Sequence, residues 1–519
     1  MNHREIGIGL LAALTVGAAS LGTACRAESP RASVAGPTAR VAAEPVEVSQ
    51  LLERIRGAVG YAHIAEHPTG FLLEGRATIA QLPATFSFLF AGGDAAVQRT
   101  DGPISTTAAV NGDPSQAGSV WITDIGGESL RLMGPGRELV LLGLLVMNYG
   151  YLGDGLLTFD RDAAADTEGE VALAFAVPAA YLTGRLFVDR DTWLPTRWEY
   201  AAGPDTTTIA LSEYRGHAGV MFPTRIATTG SAGPETVTTI ERIGDAPTFI
   251  RSPYEMIDSV GADTTWDSAA APELEVVRAP TGHLLVHPLI NGEDLGWFIF
   301  DTGAGNSVLS TPVVKALGLE TFGEVPASGV GGRTAASFCR PAALQLGPMT
   351  MHDPLMVVLD LSFLEQHMGR PIAGLIGYNL LARSVVRLDT NAPAIALVDP
   401  SAPGEEYAWT PLVIDQRLPH VEAEFEGHRG LFRLDTGAAQ MTVALHKPTV
   451  DRLDLLADRP VNDAKSGGVG GAVAMKAGLL RSFTLGGHRS ENLPAQFALE
   501  ARGVFADPTI DGNIGGRLL

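Results

Sequence analysis

The segment Trp297-Phe298-Ile299-Phe300-Asp301-Thr302-Gly303-Ala304 returns in pattern as Leu431-Phe432-Arg433-Leu434-Asp435-Thr436-Gly437-Ala438. In each copy a β-rich apolar run ends on Asp and breaks at a glycine turn, so one carboxylate is presented at a strand end. Taken once, Asp-Thr-Gly is an ordinary strand-ending turn, because Asp and Gly are both favoured in turns. The recurrence reaches further. Gly329-Val330-Gly331-Gly332 follows the first copy, and Gly467-Gly468-Val469-Gly470-Gly471 follows the second. Later come Gly374-Leu375-Ile376-Gly377 and Gly512-Asn513-Ile514-Gly515, with Asn513 standing where the first copy has Leu375. The three landmarks repeat at spacings of roughly 134 to 139 residues, which argues for two copies of one structural unit.

On these motifs, residues from about 279 to 519 resemble the retropepsin-like and pepsin-like aspartic proteases, with both lobes in one chain. The family pattern is an apolar strand into Asp-Thr-Gly-Ala, a Gly-rich flap hairpin, and an apolar-apolar-Gly strand beside the active turn. The resemblance implies that Asp301 and Asp435 are the catalytic pair. It implies that Thr302 and Thr436 cross-brace the two turns through their hydroxyls, and that Gly303 and Gly437 let the backbones approach closely. It implies flaps at Gly329, Val330, Gly331 and Gly332 and at Gly468, Val469, Gly470 and Gly471. The chemistry explains the need for two copies. Two carboxylates about 3 Å apart cannot both ionise comfortably, so they share a proton. One then deprotonates a water while the other donates to the scissile carbonyl. This scheme requires no metal and no cofactor. Neither Gly-rich segment is followed by the Lys-Ser/Thr of a nucleotide loop.

The chain has 519 residues, enough for about three units. A hydrophobic content of 45% with 60 Gly suits abundant β structure and turns. Its formal charge of −21 makes nucleic acid and anionic membrane surfaces poor partners, since both are polyanions. The first residues read as an export segment. Arg4 precedes an apolar run from Ile6 to Ala19, and Leu21-Gly22-Thr23-Ala24-Cys25 is similar to a bacterial lipoprotein processing site with Cys25 as the lipidated residue. Cleavage near Ala27 and an uncleaved signal-anchor are the alternatives. With Cys25 lipidated, Cys339 is the only other thiol, and it reads as a small buried hydrophobe. The twelve His residues show no metal-ligand spacing and read as ordinary surface and core residues.

Between these parts lies a different unit. Val48, Leu51, Leu52, Ile55 and Val59 mark an amphipathic helix. Alternating segments at 84–90, 184–189, 195–200 and 236–240 follow, separated by Gly, Asp and Pro, as in a long antiparallel meander. The stretch Glu138 to Tyr149 is apolar but too short to span a bilayer, and reads as a buried core or sheet-covering helix, with a ligand-lining helix as the alternative. The runs Phe187 to Pro195, Ser212-Glu213-Tyr214-Arg215 and Val220 to Arg225 resemble the curved-sheet lipoprotein-carrier (LolA-like) domains of bacterial envelopes. That resemblance implies a half-barrel sheet with a helix against it.

The expected fold is therefore mainly β: a curved antiparallel sheet with a helix, then a bilobal aspartic-protease-type β fold. The expected division is a signal or lipoprotein segment at 1–25, a tether at 26–45, a carrier-like β domain at 46–257 and a linker at 258–278. The protease lobes follow at 279–400 and 401–519, so that a chain beginning near Pro272 is expected to fold and to retain the whole dyad. The expected function is an aspartic endopeptidase of the bacterial cell envelope, exported and facing the periplasm. Its partners are a peptide or protein substrate and a membrane reached by lipid anchor or signal-anchor, with no nucleic acid. The alternative is a non-catalytic envelope scaffold with an inert protease-like module.

Overall fold

The computed structural model describes residues 47–116, 118–153, 157–177, 181–202, 205–230, 233–257, 261–389, 392–402 and 410–519. The export segment with Cys25 and the tether at 26–45 lie outside the described residues. The chain is mainly β.

Phe71–Ile79 lies next to the middle strand of a thirteen-stranded antiparallel sheet, paired on one side with Leu82–Ala91 and on the other with that middle strand, Gly233–Asp245, the sheet's last in chain order. The chain works outward from Phe71–Ile79 to the edge strand Ser129–Arg131, then resumes at the opposite edge with Phe159–Arg161 and works back. The connection between the two edges has to cross the sheet. Helices α1 (Val48–Val59), α2 (Tyr61–Glu66) and α3 (Pro135–Asn148) precede and make that crossing, with α3 on the connection. In α1 the apolar residues fall three and four apart, and Leu51, Ile55 and Val59 are buried against the sheet. In α3 the apolar residues run all round, and it is buried along almost its whole length, as that pattern requires. It starts at Pro135, four residues before the apolar run that begins at Leu139, because proline's fixed φ and missing N–H suit the first helical position.

The covered face is filled with side chains. Trp198 is fully buried, edge-to-face with Tyr151 at 4.7 Å and Phe175 at 5.1 Å. The Tyr149 hydroxyl donates to the Met221 carbonyl at 2.5 Å.

The two lobes are built alike, strand for strand. In the first, an eight-stranded sheet runs in the order 276–278, 284–286, 298–300, 374–376, 308–310, 356–359, 332–339, 322–329. In the second the order is 413–415, 418–425, 428–435, 512–515, 443–445, 488–498, 471–485, 462–468. In both, the strand that ends on the Asp turn runs parallel to the Ile-Gly strand: Ile299 pairs with Leu375, and Arg433 with Asn513. Cys339 is buried in the first lobe, and that burial pushes its thiol up to about 12.

The stretch 258–278, expected as a linker, contains strands. Thr264–Trp266 pairs with residues 349–351, and Val276–Arg278 opens the first lobe's sheet. Three-residue strands are too short to show a period of two in the sequence, so only their pairing reveals them. The N-terminal sheet and the first lobe also share one apolar cluster. Ile79, Ala80, Ile104 and Ile125 pack with Leu285, Ile299, Val308 and Leu375.

Candidate active site

Both Asp turns follow directly from strand pairing. The strands 298–300 and 428–435 run out of sheet at Asp301 and Asp435, and in each turn a backbone N–H folds back onto the carboxylate. Gly303 N–H donates to Asp301 Oδ1 at 2.8 Å, and Ala438 N–H donates to Asp435 Oδ1 at 3.0 Å.

The two turns then grip each other. The Thr302 N–H donates to Thr436 Oγ1 at 3.0 Å, and the Thr436 N–H to Thr302 Oγ1 at 3.0 Å. Each hydroxyl donates onward to a carbonyl of the opposite strand, Thr302 to Leu434 and Thr436 to Phe300, both at 2.8 Å. Each of these bonds is worth about 1 kcal/mol net, and all four must be given up for the turns to part. The grip brings each Asp onto the other lobe's glycine. A Cβ on Gly303 would lie 2.4 Å from Asp435 Oδ1, and one on Gly437 would lie 2.4 Å from Asp301 Oδ1. No residue with a side chain fits either position.

Asp435 keeps part of its surface open but is enclosed by protein, and that desolvation raises its carboxyl above the usual range against the opposing pull of Arg433.

The Gly-rich hairpins meet tip to tip. Gly329 pairs with Gly332 and Gly468 with Gly471, leaving Val330-Gly331 and Val469-Gly470 as the turns. The Gly331 N–H donates to the Val469 carbonyl at 3.0 Å. A Cβ on Gly331 would meet Gly471 backbone at 2.3 Å, and one on Gly470 would meet Gly332 backbone at 2.5 Å. Val330 packs beside the cluster of Met441, Val473 and Phe505 in the other lobe. All eight expected flap residues thus lie in the two hairpins that touch.

Several residues around the site escaped the sequence reading. His283, expected to be ordinary, reaches from the first lobe to the second: its Nε2 donates to the Gly437 carbonyl at 2.7 Å while Nδ1 lies 2.8 Å from Thr281 Oγ1. Burial lowers its pKa, so the neutral ring with Nε2–H suits a carbonyl acceptor. His446 is likewise buried and held neutral, with Nε2 3.1 Å from Asn513 Oδ1 and Nδ1 3.3 Å from the Asp507 carbonyl. The Asn513 amide makes a long approach of 3.5 Å to Asp435 Oδ2. A signal for these existed in the difference between the repeats. Leu285, Ile299 and Leu375 of the first lobe occupy the register positions of His420, Arg433 and Asn513 in the second. At these three register positions the second lobe therefore has buried polar groups where the first has apolar ones. No group of His, Cys, Asp and Glu able to hold a metal occurs among the described residues.

A family model described as aspartyl protease matches residues 286–380 and, separately, residues 421–517. A search of curated proteins gives no match. Among solved structures, a retropepsin-like aspartic protease from Rickettsia conorii is 21% identical, covering 26% of this chain and 95% of that one with a TM-score of 0.19. A LolA superfamily protein from Nitrosomonas europaea is 12% identical, covering 39% of this chain and 97% of that one with a TM-score of 0.27. MucB in complex with MucA(peri) is 12% identical, covering 63% and 97% with a TM-score of 0.16. The two stretches that the aspartyl protease family model matches are the two lobes whose turns grip each other, so the C-terminal half carries that family's pattern twice.

Proposed function

We propose that this chain is an aspartic endopeptidase of the bacterial cell envelope, held at the membrane through Cys25 or a signal-anchor and acting on peptide or protein segments. The observation that carries the reading is the reciprocal Thr302–Thr436 grip, which sets each Asp against the other lobe's glycine. An inert module has no chemical need for either carboxylate, and still less for both in one braced arrangement.

In the reaction the pair shares one proton; with it on Asp435, where burial favours the neutral carboxyl, Asp301 is the base. Asp301 takes a proton from a water as that water's oxygen attacks the scissile carbonyl. Asp435 delivers its proton to the oxygen of the developing tetrahedral centre; the C–N bond then breaks as the proton on Asp301 goes to the departing amine and one hydroxyl of the tetrahedral centre returns its proton to Asp435, leaving the new carboxyl group and the shared-proton pair restored. The flap tips close over an extended peptide, whose backbone pairs with the hairpin strands as an added strand would.

Incubation with a proteome-derived peptide library from acidic to neutral pH is the test. Cleavage that a statine-type inhibitor stops and a metal chelator leaves untouched is the expected result. Cleavage lost with the chelator, or no cleavage at any pH, contradicts the reading.

A further inference from the structure

Among the described residues no strand pairing joins the two eight-stranded sheets, so something else must keep the two Asp turns in register. The Thr grip is small, and besides the flap-tip bond from Gly331 to Val469 each lobe adds a side-chain reach across: His283 to Gly437, and Arg417 of the second lobe to Asn306 of the first, where Arg417 Nη2 donates to Asn306 Oδ1. Asn306 lies five positions after Asp301, in the loop that follows the turn.

Arg417 is 3% exposed and its charge is met from outside both lobes. Its Nε lies 3.1 Å from Oδ2 of Asp124, in the turn between strands 120–123 and 129–131 of the N-terminal sheet. The same turn supplies Glu128, whose Oε1 takes Arg383 Nη1 at 2.7 Å, both groups being 1% exposed. Arg383 also forks onto Asp263 with two bonds of 2.7 Å, and donates to the Gly126 carbonyl at 3.1 Å and the Asn379 carbonyl at 2.5 Å. Asn379 Oδ1 in turn accepts from the Ser307 N–H at 2.8 Å and the Ser307 hydroxyl at 2.7 Å. The Ser307 hydroxyl oxygen accepts the Gly377 N–H at 3.0 Å. The turn is itself fixed, since Asp124 Oδ1 accepts the N–H groups of Gly126 at 2.7 Å and Glu128 at 3.1 Å. One five-residue turn therefore touches the first lobe through Arg383 and the second through Arg417, and both contacts end on residues 306–307.

We propose that the 124–128 turn is the clamp that sets the two lobes in register, with Asp124 and Glu128 as positioning residues for the Asp301–Asp435 pair. Buried guanidinium groups are tolerated only when paired, so the lobes cannot keep this closed arrangement if the turn withdraws. Reaction geometry is intolerant of displacement, since a shift of about 1 Å can cost about 100-fold in rate. The functional side of the clamp rests on the peptidase reading; the register side does not.

Asp124→Asn and Arg417→Lys provide the variants, the first removing a charge and the second keeping charge while losing the planar group that faces Asp124 with Nε and bonds Asn306 with Nη2. Glu426→Gln is the control, because it weakens a buried pair with Arg459 that lies wholly within the second lobe, at 2.8 Å. The readouts are hydrogen exchange at the Thr302 and Thr436 amides, which bond across the lobes, and kcat against KM on the peptide library. The clamp predicts that both variants exchange these two amides at least 10-fold faster than Glu426→Gln of matched stability, with kcat falling about 10- to 100-fold and KM little changed. If Asp124→Asn does not fold, Arg417→Lys alone decides. Amide exchange no faster than in the control overturns the clamp, even if the protein cleaves peptides. Faster exchange in a protein that never cleaves peptide upholds the clamp and refutes the peptidase reading.

Discussion

At the scale of single residues, the buried cluster around the clamp sets three carboxyl groups, Asp124, Glu128 and Asp263, against two guanidinium groups, Arg383 and Arg417. One proton is needed to balance it. Burial, with Arg383 opposing and Asp124 adding, pushes Glu128 up to about 8, which places that proton on Glu128 at neutral pH. An unfolded glutamate titrates near 4.3. Between roughly pH 4.3 and 8 the folded chain thus holds a proton that the unfolded chain has released, and stability declines as pH rises through that window. Glu128→Gln has no proton to lose. Its melting temperature should gain on the wild type steadily from pH 5 to pH 8.5, whereas a difference that stays constant across that range contradicts a protonated Glu128. Asp435 follows the same sign, so its ionisation also works against the fold as pH rises.

The asymmetry between the two Asp residues was only partly legible in the sequence. Both carboxylates, both Thr and both Gly were evident because the tripeptide repeats. His283 and His446 were not, because their partners lie 154 and 67 residues away and no short spacing marks them. Asn513 was visible as a departure from Leu375, but its purpose emerges only when the strand 512–515 is laid beside 428–435 and Asn513 falls next to Arg433.

At the scale of elements, the flap hairpins are constrained by each other. Gly331 and Gly470 each face the other hairpin's backbone within 2.5 Å of where a Cβ would stand. Real Cβ atoms do not approach that closely, and Gly470 in addition has φ of +82°, which a β-branched residue resists. Gly331→Val and Gly470→Val should therefore hold the tips apart. The expected effect is a loss of about 10-fold or more in kcat/KM with a small change in melting temperature, since Gly331 and Gly470 themselves bring no side chain to either core. Wild-type cleavage by both variants would show that these hairpins do not close on substrate. The hairpins themselves were readable from glycine spacing, as were the helix at Val48–Val59 and the meander after it. The strand at 264–266 was not, for it depends on an edge supplied by residues 349–351.

At the scale of the whole molecule, chemistry and support are divided along the chain. The dyad lies downstream of Pro272, as the sequence implied, but its fastening does not. A chain cut there would leave Arg383 without Glu128 and Arg417 without Asp124, and would expose Leu285, Ile299 and Leu375 where Ile79, Ala80 and Ile125 now cover them. The sequence could not reveal this, because the contacts join turns more than 250 residues apart through side chains that look like ordinary surface charges. The face of the N-terminal sheet that α3 crosses is filled with Trp198, Tyr149 and Tyr151, in keeping with a supporting role for this unit.

The central claim is that Asp301 and Asp435 act as one proton-sharing unit, and its most direct test is kcat/KM for the wild type, Asp301→Asn, Asp435→Asn and the double variant on one peptide substrate. Each single change should cost about 1,000-fold or more, and the double variant should be little worse than either. Near wild-type cleavage by either single variant, or a double loss equal to the product of the two single losses, would contradict it.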